Sequence, residues 1–114
     1  MKIQEKNIFD KQNVFGQGAA NTAFARYFTG NSYLNPLTKP GESTVGLANV
    51  TFEPGCRNNW HIHHAKAGGG QILICTAGEG WYQEEGRDAE SLTPGMVIVI
   101  PPEVKHWHGA KADS

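Results

Sequence analysis

Four of the chain's five histidines form two His-x-His pairs, His61/His63 and His106/His108, and the fifth, His64, abuts the first pair. Residues two apart on a β-strand project from the same face, so each pair directs two imidazoles one way. Two such strands side by side would bring several nitrogen donors around one point. Neutral imidazole suits Zn, Mn, Fe, Ni and Cu, so the expected chemistry is that of one bound divalent transition metal. By the same alternation His64 points away from His63 and is the histidine least suited to ligation. Gln71 opens a further strand and shares a face with Leu73 and Cys75. A barrel built with the histidine faces inward would carry imidazoles and one amide at its mouth.

Other site chemistries find little support. An iron site of two histidines and one carboxylate would want an acid two residues after His61, and His63 stands there. Ser43, Ser91 and Ser114 lack the context of a nucleophile elbow. Gly68-Gly69-Gly70 has no following Lys-Ser/Thr and leads into a strand, so it reads as a loop and not a phosphate cradle. Cys56 and Cys75 form no C-x-x-C and no disulfide framework, so both are expected as free thiols in a reducing cytoplasm. Trp60, Trp81 and Trp107 read as core or interface aromatics.

The elements that must position the histidines are short and extended. Fourteen glycines and six prolines punctuate the chain. Thr44 to Phe52 reads as a strand, turned by Glu53-Pro54-Gly55, and Arg57 to His63 as the next. Gln71 to Thr76 follows. Gly80 to Gln83 and Ala89 to Leu92 flank a hairpin signal at Glu84-Glu85-Gly86-Arg87. Met96 to Ile100 reads as a buried strand by composition, broken by Pro101-Pro102, and Val104 to Gly109 resumes. In the N-terminal third, Ala23 to Thr29 and Ser32 to Leu34 look like strands around Gly30-Asn31, with a loop or single helical turn within residues 5–20. Short strands at even spacing with Gly/Pro turns argue for an all-β sandwich or barrel.

A chain of 114 residues with 39% hydrophobic and 18% charged residues reads as one domain spanning 1–114. Its net charge of −1 and scattered Lys and Arg give no footprint for nucleic acid or an anionic membrane. The polar start and the brevity of the longest apolar run, Met96 to Ile100, predict neither a signal peptide nor a membrane span.

Two motif frames carry a resemblance. Gly55-x5-His61-x-His63 with Gln71-x6-Gly78 resembles the first cupin motif, G-x5-H-x-H-x(3,4)-E-x6-G. Gly95-x5-Pro101-x-Glu103-x2-His106 resembles the second, G-x5-P-x-G-x2-H. The match spans about residues 44–109 and implies a double-stranded β-helix, a jelly-roll barrel holding a divalent metal. Three positions depart from the pattern. Gln71 replaces the usual glutamate, the spacer His64 to Gly70 is longer, and Glu103 replaces the glycine of the second motif. A ligand set of His61, His63, His106 and Gln71 is all neutral, which leaves more of the metal's charge to polarise oxygen.

Tyr27-Phe28-Thr29-Gly30, Val50 to Gly55, Trp60 to His63, Gln71 and Lys105 to Gly109 are similar to the small bacterial manganese-dependent cupin hydroxynitrile lyases and their uncharacterised relatives. That resemblance implies manganese held by three histidines and Gln71. It implies His108 as an acid/base beside the metal, and a pocket wall at Ala48 and Val50 for a small-molecule substrate. The expected function is a lyase cleaving or forming a carbon–carbon bond. A three-histidine dioxygenase and a non-catalytic ligand-binding cupin are the alternatives. Such cupins carry a further strand after the His-Trp-His segment. This chain ends at Lys111-Ala112-Asp113-Ser114, so that edge is expected to need cover, and a homodimer is the expected assembly.

Overall fold

Among the described residues, alternating apolar residues and glycine turns produce ten short strands. They are β1 (Ala19–Ala20), β2 (Phe28–Thr29), β3 (Ser32–Pro36), β4 (Ala48–Phe52), β5 (Arg57–Asn58), β6 (Gln71–Ile74), β7 (Gly80–Glu84), β8 (Glu90–Leu92), β9 (Val97–Ile100) and β10 (His106–Ala110). The computed structural model describes residues 3–65 and 69–114, so Lys66, Ala67 and Gly68 of the glycine-rich spacer lie outside the described residues. A helix, α1 (Ile3–Gln12), precedes the strands, where the sequence suggests at most one turn. Its periodic apolar face is weak; its C-terminal end is held by polar contacts instead. The Asn13 amide donates to Thr51 Oγ1 at 3.0 Å and its carbonyl accepts from Asn49 Nδ2 at 2.8 Å, which pins the helix end to β4.

Three antiparallel sheets run in the orders β1-β3-β4, β2-β5-β10-β7-β8 and β6-β9. They form a jelly-roll β-barrel: the strand pattern predicts an all-β sandwich or barrel, and the motif resemblance implies the jelly roll. The core packs Tyr82, Leu92 and Ile100 against Leu73, Cys75, Met96, Ile98 and Val104. The hairpin at Glu84 to Arg87 is present, with Gly86 at φ 84°.

Four expectations change. Residues 44–47 of the strand expected from Thr44 are outside it, and β4 begins at Ala48. Residues 25–27, expected extended, form a single 3₁₀ turn that brings the chain into β2. The segment 96–100 is not buried on both faces. Ile98 and Ile100 enter the core, while Val97 and Val99 are 55% and 68% exposed, because β9 belongs to a two-stranded sheet covered on one face only. The strand expected over Arg57 to His63 stops at Asn58.

That last difference shapes the site. Arg57 pairs with Gly109, and the next paired residues are His61 and His106. Four steps along one strand therefore face three along the other, which is a β-bulge of one extra residue. Gly109 permits the close crossing, since a Cβ there would collide with the Cys56 carbonyl and the Arg57 backbone.

Candidate metal centre

β10 supplies one wall. It is the middle strand of the five-stranded sheet, with His106 opposite Glu84 and His108 opposite Tyr82. His106 is fully buried and His108 nearly so. The second wall is the chain after the bulge, where the His61 and His106 backbones exchange two hydrogen bonds of 3.0 Å. That bridge brings the His61 and His106 rings to 4.2 Å between centroids, and His63 and His106 to 5.4 Å. One nitrogen from each of His61, His63 and His106 lies within 4.8 Å of the others, the arrangement of a site able to hold a metal ion. Trp60 and Ile62 alternate outward, so the same-face reading of His61 and His63 survives the loss of regular strand.

Gln71 enters from the start of β6. Gly70, just before it, sits at φ 84° where a Cβ would strike the Ile100 carbonyl, so a glycine lets β6 begin against Pro101-Pro102. The Gln71 Oε1 atom lies 3.0 Å from His63 Nε2 and 3.2 Å from His106 Nε2.

The backbone fixes which nitrogens carry protons. His61 Nδ1 donates to the Asn59 carbonyl at 2.7 Å and His106 Nδ1 donates to the Val104 carbonyl at 2.9 Å. In the neutral rings each Nε2 is then a bare lone pair. The His106 lone pair faces the Gln71 carbonyl oxygen with no proton between them. Lone pairs converging from two imidazoles and an amide repel one another, and a cation between them turns the repulsion into ligation. The donor set therefore fits a divalent transition metal. Burial lowers the His106 pKa, partly opposed by the Val104 hydrogen bond, and this keeps the ring in the neutral form that ligation needs.

His108 stands beside the cluster. Its ring centroid is 6.3 Å from those of His61 and His106, and it packs edge-on against Phe52. Asn58, inside the bulge, sets its tautomer. The His108 backbone N–H donates to Asn58 Oδ1 at 2.9 Å, which orients the amide so that Nδ2 donates to His108 Nε2 at 3.0 Å. The ring proton is thereby on Nδ1. Burial, reinforced by the neighbouring histidines His61, His106 and His63, pushes the pKa of His108 down to about 3.

Gln71 and His108 open onto a cavity of about 220 Å³ between β4 and β6, also lined by Ala48, Val50, Phe52 and Leu73. The expected pocket residues Ala48 and Val50 thus share a cavity with His108. His61, His63 and His106 do not line it. His64 is turned to solvent, 2.7 Å from the Glu103 carboxylate, which this contact and the Ala65 N–H hold below the usual pKa of its type.

The sequence assigns no role to two residues that shape the site. Asn58 carried no signal, because an asparagine in a strand gives no hint that a bulge will aim it at a histidine 50 positions later. Glu103 did carry one, as a charged residue at a position where the motif has glycine.

The fold and site define a class: a jelly-roll barrel with three histidines from two adjacent strand segments positioned so that they could bind a metal ion. The chain belongs to the cupin family: a cupin domain profile matches residues 48–114. It is 46% identical over 96 residues to an (R)-mandelonitrile lyase from Granulicella tundricola, covering 83% of this chain and 70% of that protein. Its fold resembles the crystal structure of a cupin-like protein from Thermotoga maritima, with a TM-score of 0.77 and 42% identity over 88% of this chain and 72% of that one.

Proposed function

We propose that the protein is a metal-dependent lyase acting on a small hydroxynitrile, with one divalent metal held by His61, His63, His106 and Gln71. The observation that carries the metal is the unprotonated His106 Nε2 facing the Gln71 oxygen at 3.2 Å. The likeness to the mandelonitrile lyase supports the substrate class. Manganese is favoured by resemblance to the manganese-dependent cupin lyases, while iron, zinc, nickel and copper suit the same donors. Bound there, the ion supplies Lewis acidity toward a hydroxyl or carbonyl oxygen.

The residues around it do the rest. Ala48, Val50 and Phe52 form an apolar stretch of the cavity wall beside the polar Asn49 and Thr51, which suits a small organic substrate carrying a polar group. His108 faces the proton transfer with one nitrogen. Asn58 Nδ2 occupies its Nε2 lone pair, so the nitrogen it can present to a substrate is Nδ1, whose proton it can donate in a hydrogen bond. In cleavage, the hydroxyl proton leaves, the carbonyl forms, and the carbon–carbon bond electrons depart with cyanide, which then takes up a proton. The proton that the hydroxyl loses balances the one that cyanide gains, so the step leaves no net charge on the His108 ring.

Elemental analysis of protein purified without added metal, followed by mandelonitrile cleavage assays, tests the reading. A stoichiometric transition metal, lost in His106→Ala and kept in His108→Ala with a large rate loss, is the expected result. Absence of metal binding by the folded wild type overturns it. Oxygen uptake with iron bound, without cyanohydrin cleavage, moves the assignment to a three-histidine dioxygenase. Unchanged properties in His108→Ala would mark a non-catalytic binder.

We also propose a homodimer built on the outer face of β6 and β9. Ile72 and Ile74 are 60% and 61% exposed and pair across the ladder with the exposed Val99 and Val97. The four form an uncharged aliphatic stripe of roughly a few hundred Å², the scale at which exposed patches mark interfaces. A flat stripe without charge is self-complementary, as a two-fold interface requires. Sedimentation of Val99→Lys should give monomer where wild type gives dimer; a monomeric wild type removes the proposal. Cys56 and Cys75 are free, which suits a cytoplasmic setting.

A further inference from the structure

Among the described residues Glu103 is the one non-glycine with a positive φ, at 72°. L-residues adopt that region at a cost, and a cost retained near a site calls for something that repays it. Glycine, which the cupin motif has at this position, would sit there free of strain. Glu103 holds three successive residues of the neighbouring segment. Its backbone N–H donates to the His63 carbonyl at 2.8 Å. One carboxylate oxygen accepts from the Ala65 N–H at 3.1 Å, and the other lies 2.7 Å from His64 Nδ1. Glycine could make the first of these contacts and neither of the others.

These contacts matter because His63 has no strand to hold it. After the bridge at His61 the described segment makes no ladder bonds, and Glu103 supplies the backbone and carboxylate contacts to residues 63–65. The Glu103 side chain is itself exposed and makes no contact with the donor cluster. It acts through the segment that carries His63.

We infer that Glu103 is a positioning residue: its carboxylate clamps residues 64 and 65 so that the His63 imidazole stays in the donor cluster with His61, His106 and Gln71. The inference rests on the metal reading of that cluster.

Glu103→Gly and Glu103→Gln test it, with metal affinity measured by titrating Mn²⁺ or Zn²⁺ into stripped protein and melting temperature measured without metal. Glu103→Gly should lose about tenfold or more in affinity. Its metal-free melting temperature should hold or rise, because strain is relieved while only exposed contacts go. Glu103→Gln keeps an oxygen for Ala65 and should recover most of the affinity. A merely structural residue would lower both quantities together. Wild-type affinity in Glu103→Gly overturns the clamp and leaves the metal site standing. Should wild type bind no metal, the site reading fails, and the clamp is judged in the metal-free protein by amide hydrogen exchange at Ala65. Faster exchange there in Glu103→Gly, restored in Glu103→Gln, upholds the clamp; unchanged exchange rejects it.

Discussion

The two His-x-His pairs have identical spacing and opposite mechanics. His106 and His108 ride on β10, flanked on both sides by β5 and β7, and both are buried. The ladder sets their backbone, and fixed side-chain and carbonyl partners set their rings. His61 and His63 lie past the end of β5, on a segment joined to the sheet by one bridge and to the 101–103 turn by Glu103. One pair is placed by a strand paired on both sides and the other by a few single contacts to residues distant in the chain. A donor cluster assembled this way has a rigid half, which is expensive to disturb, and an attached half, which can be altered without unfolding the barrel.

His106→Ala is the largest break of that contrast. It removes a fully buried ring, leaves the Val104 carbonyl without its donor, and opens a hole beside Tyr82. The metal-free protein should lose about 2–4 kcal/mol by denaturant titration, and metal binding should vanish from calorimetry. His63→Ala should also cost metal affinity, by roughly 10²-fold. Its metal-free stability should move by only about 0.5 kcal/mol, since the ring is partly exposed. Equal destabilisation by the two variants would show that the halves are not mechanically different.

Acid should expose the rigid half next. His108 titrates at about 3 in the fold, against about 6.5 for an unperturbed histidine. Above about pH 6.5 neither state holds the proton, so the group is neutral to stability. Below it the unfolded chain protonates first, and stability falls until the folded pKa is passed. Between about pH 6.5 and 5 the metal-free protein should lose on the order of 2 kcal/mol, with His106 adding in the same direction. Denaturation of wild type and His108→Gln across that range checks it. A slope unchanged by the substitution would mean that His108 titrates normally.

How far the sequence revealed this follows the same division. Strand alternation made His106 and His108 legible, because their strand is regular and alternation holds there. It also carried Gln71 onto a face with Leu73 and Cys75, which are part-buried while Ile72 and Ile74 are exposed. It assumed a strand through His63, and the bulge that ends β5 has no local signature in Arg57-Asn58-Asn59-Trp60. The exposure of Val97 and Val99 is not legible, because four aliphatic residues in a row do not say how many faces of their sheet are covered. The helix α1 was missed since its anchor, Asn13 to Thr51 and Asn49, spans more than 30 positions. What remained hidden was set by long-range contact, and what was visible was set by backbone period.

Gln71→Glu gives the finest test, because Gln71 touches both halves at once, at 3.0 Å from His63 and 3.2 Å from His106. The side chain keeps nearly the same shape, so the barrel should be unaffected and its melting temperature without metal should change little. The charge changes instead. A carboxylate would offset part of the metal's charge, and affinity for Mn²⁺ should rise about tenfold. The same neutralisation weakens polarisation of a bound oxygen, so turnover should fall even as binding tightens. Tighter binding with slower turnover would locate the value of an amide at this position in leaving charge uncompensated. Tighter binding with undiminished turnover would mean that the neutral ligand set has no catalytic purpose. Weaker binding would mean that residue 71 does not face the metal.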